Sequence, residues 1–325
     1  MTFTLTVELE RGARNYLPDP LGRGVATALA HVREGRFQRS LSLVVAMTGV
    51  ATGIETGYEH YKGSYSNPVM YTPVILSGAL SAAGMMAFFS RWAARTVLRG
   101  VSFLSLADGI IGVGFHIRGI ARKPGGWRLP VTNIVMGPPI FAPLLFGTSA
   151  YLGLMASYLR REEDAPGDID SAAAPEQVPS AALERKSDWR VEIAEGRFQK
   201  HLSALTIAWA FFSGFEALYS HYKSRFRFAA QWSPIVLTPL LMAAAFAATR
   251  SRRAANTLLP AVSAMALADG AIGFAYHARG VMRRPGGLSK PGFNILYGPP
   301  VFAPLLFAAC GFLGLLASLL RREKE

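Results

Sequence analysis

The chain has 325 residues, 51% of them hydrophobic and 17% charged, with a formal net charge of +13 and a mean hydropathy of +0.25. Charge below the roughly 25% of soluble domains, together with apolar blocks of bilayer length, points to an integral membrane protein. The basic residues sit mostly at the ends of those blocks, where they meet lipid headgroups, and no aromatic-and-basic stripe marks a nucleic-acid surface. The one cysteine, Cys310, excludes an internal disulfide and a thiolate-only metal site.

Residues 1–32 read as a polar extension ending in a short amphipathic helix. They contain no apolar core followed by a small-residue cleavage site, so the spans themselves are expected to direct insertion. From residue 33 the apolar blocks predict four spans, at about 40–58, 69–90, 97–117 and 138–159. Residues 164–190, rich in Ala, Pro and Asp, read as a flexible linker. Four more spans follow at about 201–219, 233–250, 258–278 and 299–320.

Shifted by 161 residues, the sequence matches itself without a gap from Glu34 to Asp164, with roughly half the paired positions identical. EGRFQ (34–38) recurs at 195–199, and NIVMGPPIFAPLLF (133–146) recurs as NILYGPPVFAPLLF (294–307). Such a repeat decides the architecture. The expected fold is an all-α integral membrane protein of eight transmembrane helices, in two tandem parallel four-helix repeats (33–163 and 191–325). Four spans return each repeat to its starting side, so a pseudo-twofold along the membrane normal should relate them. The side holding both termini carries the larger share of arginines, Arg91, Arg95, Arg99, Arg160 and Arg161 among them, which places it in the cytoplasm of a bacterial inner membrane.

The chemistry is expected where polar side chains interrupt the apolar blocks. SLADGIIGVGFHIRG (105–119) carries Asp108 and His116, and ALADGAIGFAYHARG (266–280) carries Asp269 and His277. Glu55 and His60 lie on the first span, Glu216 and His221 on its counterpart. A carboxylate in a spanning helix costs about 2.5–3.5 kcal/mol on insertion scales, so each should face the bundle interior and a partner. Spans one and three run the same way, so His60 with His116 and Glu55 with Asp108 predict two tiers near the face opposite the termini. His221 with His277 and Glu216 with Asp269 repeat them. Glu55, Tyr58 and Lys62 share one helical stripe, whereas His60 lies about 140° from Glu55 on an ideal helix. Both point inward only if the helix ends or kinks near Gly57. Asp108, Gly112, Phe115, His116 and Gly119 share another stripe, whose glycines admit a close neighbour.

Three functions fit such a set. Imidazole with carboxylate suits iron, zinc or manganese, and two histidines on separate helices suit a b-type haem. The leading expectation is therefore a metal- or haem-binding electron-transfer subunit of a larger membrane assembly. Iron or haem would be its cofactor, and quinone or membrane and periplasmic redox subunits its partners. Tyr58 and Tyr219 would line the cofactor. The second is a proton- or ion-coupled transporter using Glu55, Asp108, Glu216 and Asp269. The third is a structural subunit without chemistry, in which His116 bonds a backbone carbonyl and Asp108 pairs with Lys62 or Arg118. Near the histidine tier, Lys62, Arg118, Arg122 and Asn133, with Lys223, Arg279, Arg283 and Asn294, are candidate ligand-binding residues for a carboxylate, phosphate, quinone carbonyl or propionate. Pro138-Pro139 is expected to open the fourth span and Pro143 to lie in its first turns or kink it.

Overall fold

In the computed structural model, residues 19–165 and 188–323 are described. The expected extension before residue 19 and most of the expected linker fall outside them. All described elements are helical. Helix α1 (Asp19–Arg33) precedes α2 (Gln38–Lys62), α3 (Thr72–Phe89) and α4 (Arg91–Ala121), then the short α5 (Pro130–Val135) and α6 (Ala142–Ala156). A second series follows α7 (Trp189–Ala194): α8 (Gln199–Lys223), α9 (Ser233–Arg250), α10 (Arg252–Met282), α11 (Pro291–Tyr297) and α12 (Ala303–Leu319).

Among the described residues, α2, α3, α4, α8, α9 and α10 are long and apolar enough to cross a membrane, while α6 and α12 are apolar but shorter. Their outer faces are oily: Phe89 is 71% exposed, Ile75 67% and Phe103 66%. The interior is built from small and aliphatic residues such as Val45, Leu80, Ala83, Ala150, Ala210, Leu241, Ala244 and Leu313. Large apolar groups outside and small ones inside suit helices packed closely within lipid. The chain is an α-helical integral membrane protein.

The stretch expected as one span over 138–159 departs from that reading. Pro138 and Pro139 have no amide hydrogen to continue a ladder, so the backbone over 136–141 is irregular and α6 starts only at Ala142. Pro143 sits in its first turn, where a missing N–H costs nothing. The same break separates α11 from α12. The glycine stripe of α4 does receive a close neighbour: a Cβ on Gly112 would lie 2.8 Å from Pro143, and one on Gly119 3.0 Å from Pro138. Gly273 and Gly280 of α10 meet Pro304 and Pro299 in the same way.

The two EGRFQ segments are where the two halves of the chain meet. Gly35 (φ +73°) and Gly196 (φ +71°) take left-handed backbone and face each other so closely that a Cβ on Gly35 would lie 2.5 Å from Gly196 N. Phe37 and Phe198 enter the core beside them. Gln38, 2% exposed, donates to Ser42 Oγ (2.7 Å) and Ala87 O (3.2 Å), and Gln199 donates to Ser203 Oγ (2.8 Å). Arg160 closes the seam by donating to Ala194 O (2.9 Å) and Glu34 O (2.6 Å). Burial, and Arg36 beside it, lower the Arg160 guanidinium from its ordinary value, against the opposing pull of Asp164, Glu34 and Glu195.

Candidate functional site

Glu55, Tyr58 and Lys62 share one face of α2, as their spacing requires. Tyr58 donates to Glu55 Oε1 (2.9 Å), and Lys62 Nζ stands 4.9 Å over the Tyr58 ring. On α8, Tyr219 donates to Glu216 Oε2 (2.5 Å), and Lys223 Nζ stands 5.1 Å over the Tyr219 ring. Each stripe runs from a cation at the helix end, through a phenol, to a carboxylate.

Both carboxylates reach into the other half. Phe141, the residue before α6, donates its backbone N–H to Glu216 Oε1 at 2.9 Å. The Phe141 ring is held among Phe211, Phe212 and Phe215 of α8, with centroids 5.8, 4.7 and 5.4 Å away. Glu216 thereby caps a helix N-terminus, which has free amide donors and the positive end of the macrodipole. Glu55 meets the corresponding residue, Phe302, ahead of α12. That approach does not close into a hydrogen bond of ordinary geometry: Glu55 Oε2 is buried without a partner, while both oxygens of Glu216 are bonded. Val50, Ala51 and Ile54 stand on α2 where α8 has its three phenylalanines, so Phe302 has one ring neighbour, Phe274 of its own half (6.2 Å), in place of three from across the seam.

The aspartates and histidines stay within their own halves. Thr72, at the start of α3, donates to Asp108 Oδ1 at 2.6 Å, and the Ser233 hydroxyl meets Asp269 in the same place. Asp108 therefore pairs with a hydroxyl, not with Lys62 or Arg118. His116 Nδ1 bonds Pro139 O, and His277 Nδ1 bonds Pro300 O at 2.5 Å. These carbonyls belong to the proline breaks, where the helical ladder is interrupted. His60 Nδ1 lies 2.6 Å from Met70 O in the turn before α3. With each Nδ1 carrying the hydrogen, the Nε2 atoms of His60 and His116 are acceptors. His60 lies close enough to act electrostatically on His116, and His277 on His221.

The expected mixed tiers do not assemble into a metal site. No group of three or more His, Cys, Asp or Glu able to hold a metal occurs among the described residues. The physical reason is that α2 runs unbroken through Gly57 to Lys62, where Glu55 and His60 stand about 140° apart around a helix. Glu55 faces the seam and His60 its own loop. Asn133 and Asn294, buried, spend their amides on the Pro-Gly-Gly turns: Asn133 donates to Pro124 O (3.1 Å) and Gly126 O (2.7 Å), Asn294 to Pro285 O (3.3 Å) and Gly287 O (2.9 Å). Arg118, Arg122, Arg279 and Arg283 are exposed. Lys62 is bound to Glu59 at 3.1 Å.

Phe141, Phe302, Thr72 and Ser233 were not foreseen as site residues. Their signal lay in the shared PPIFAP/PPVFAP segment and in a hydroxyl kept at the start of the second span of both halves. The chain matches no protein-family model, no curated protein and no solved structure.

Proposed function

We propose that the chain is a proton- or cation-coupled membrane carrier in which Glu55 is the exchanging group. Its architecture on this reading is eight spans in two parallel four-helix repeats, related by a pseudo-twofold along the membrane normal, with α6 and α12 as the shortened fourth spans. Both termini face the cytoplasm, by the excess of arginine on that side. Carriers built from repeats place their sites at the repeat interface, where interrupted helices turn their ends toward a charge. The observation that carries the reading is the unequal pair: two carboxylates in equivalent positions, one fully bonded as a helix cap and the other left with a buried, unpartnered oxygen. A buried polar atom without a partner is rare enough to call for a ligand or a proton. Asp108 and Asp269, each already bonded to a hydroxyl, supply polarity beside the path, not the exchange itself.

The test is flux. Purified protein in liposomes carrying a pH-sensitive dye should collapse an imposed pH or cation gradient, Glu55→Gln should abolish this, and Glu216→Gln should retain it in whatever fraction folds. Equal flux from wild type and Glu55→Gln would overturn the proposal.

One observation favours a second reading, an iron or b-type haem between His60 and His116 with a quinone or redox subunit as partner. Both rings bond a backbone carbonyl through Nδ1, the arrangement that orients Nε2 toward a metal. A Soret band in the purified protein, lost in His116→Ala, would establish it; a colourless, iron-free protein would end it.

A further inference from the structure

Between the halves, near the ends of α5 and α8, lies an open cavity of about 600 Å³. One wall is Val135 and Met136; the other is Tyr222, Lys223, Arg225 and Phe226. The wall chemistry is divided: apolar and aromatic faces, two cations, no acid. Lys223 rests on the Tyr219 ring, and neither Lys223 nor Arg225 forms an ion pair among the described residues. Two carboxylates, Glu216 and Glu59, and two ammonium groups, Lys62 and Lys123, stand close enough to act on Lys223; Glu216 is bonded to Tyr219 and the Phe141 N–H, and Glu59 to Lys62 at 3.1 Å. The Arg225 loop is fixed in place: Arg225 (φ +56°) and Phe226 (φ +47°) both hold left-handed backbone, a costly conformation for residues with a Cβ, and Phe226 stacks on Trp232 at 4.1 Å.

We propose that this cavity binds one anionic amphiphile, its carboxylate or phosphate between Lys223 and Arg225 and its apolar body against Val135, Met136 and Phe226. Guanidinium and ammonium groups bind such heads by charge-assisted hydrogen bonds, and the apolar walls add burial that a small inorganic anion cannot use. The site should be single although the chain is doubled. At the repeat-related positions, Ser64 of the first half replaces Arg225, and Leu296 and Tyr297 of the second half replace Val135 and Met136. One of the two cations is missing there. The inference concerns binding and stands whether or not the chain moves protons.

The probe is radiolabelled dodecanoate, added to the full chain in nanodiscs of neutral lipid. Saturable binding of one dodecanoate per chain is expected, at least tenfold weaker in Lys223→Gln/Arg225→Gln and unchanged in Arg253→Gln, an exposed cation outside the cavity. Both cations are exposed, so the double variant should keep its melting temperature. Dodecanol should bind at least tenfold more weakly than dodecanoate. Repeating the titration with phosphatidylglycerol in the disc separates the sources: competition identifies a lipid headgroup as the occupant, and its absence a soluble anion, either result supporting the site. Absence of saturable binding, two equivalents per chain, equal affinity for dodecanol, or indifference to the double variant would overturn it.

Discussion

Replacing Gly35 by Ala should destabilise the bundle by about 2–5 kcal/mol. The left-handed backbone at φ +73° costs an L-residue roughly 1–2 kcal/mol. The added Cβ would stand 2.5 Å from Gly196 N and press on Ala194 O, and both are backbone atoms that no side-chain rotation can move aside. Crowding of that kind typically costs about 1–3 kcal/mol more. Gly196→Ala should behave alike, because its Cβ would meet Gly35 N at 2.7 Å. The control is Gly24→Ala in α1, where a Cβ meets nothing within 4 Å and helix propensity should give roughly 0.5–1 kcal/mol of stabilisation. Unfolding in mixed micelles by titration with dodecyl sulfate, followed by circular dichroism, measures all three. A Gly35→Ala protein as stable as wild type would refute the close seam between the halves, as would Gly24→Ala proving the more harmful.

His277→Ala should cost about 1–3 kcal/mol in the same titration, since it leaves the Pro300 carbonyl without its donor at the break before α12. Thr72→Val, which removes the hydroxyl from Asp108, should cost about the same, whereas Thr72→Ser should be near neutral because Ser233 fills that place in the other half. Asn294→Ala should loosen the Pro285-Gly286-Gly287 turn by about 1–3 kcal/mol, read as faster proteolysis at that loop, while the exposed Arg283→Gln changes stability by no more than about 0.5 kcal/mol.

Much of this was legible in the sequence, and its limits have physical causes. Block length and composition were enough to identify the membrane class. Helical periodicity identified the Glu55–Tyr58–Lys62 stripe and the glycine face of α4, because both depend only on the 3.6-residue turn. His116 does bond a backbone carbonyl, as the structural-subunit expectation had it. Among the described residues the expected ligands do not gather in threes, because bringing Glu55 and His60 to one side needs a kink near Gly57, and glycine permits a kink without imposing one. The pairing of Glu216 with Phe141 was not legible, because its acceptor and donor lie 75 residues apart and the donor is a backbone N–H, which no residue type advertises. EGRFQ was visible as a repeated motif, but its meaning depends on Gly35 touching Gly196, a contact between halves that a one-dimensional pattern does not contain.

The unequal carboxylates can be told apart by a single labelling experiment. Dicyclohexylcarbodiimide, an apolar reagent, modifies carboxyl groups that hold a proton within the membrane, and mass spectrometry of the digested protein assigns the adduct. If Glu55 exchanges protons while Glu216 serves as a helix cap, the adduct forms on Glu55 and proton flux falls in step with it, while Glu216 stays unmodified. Equal labelling of the two glutamates, or flux that survives complete modification of Glu55, would contradict the account.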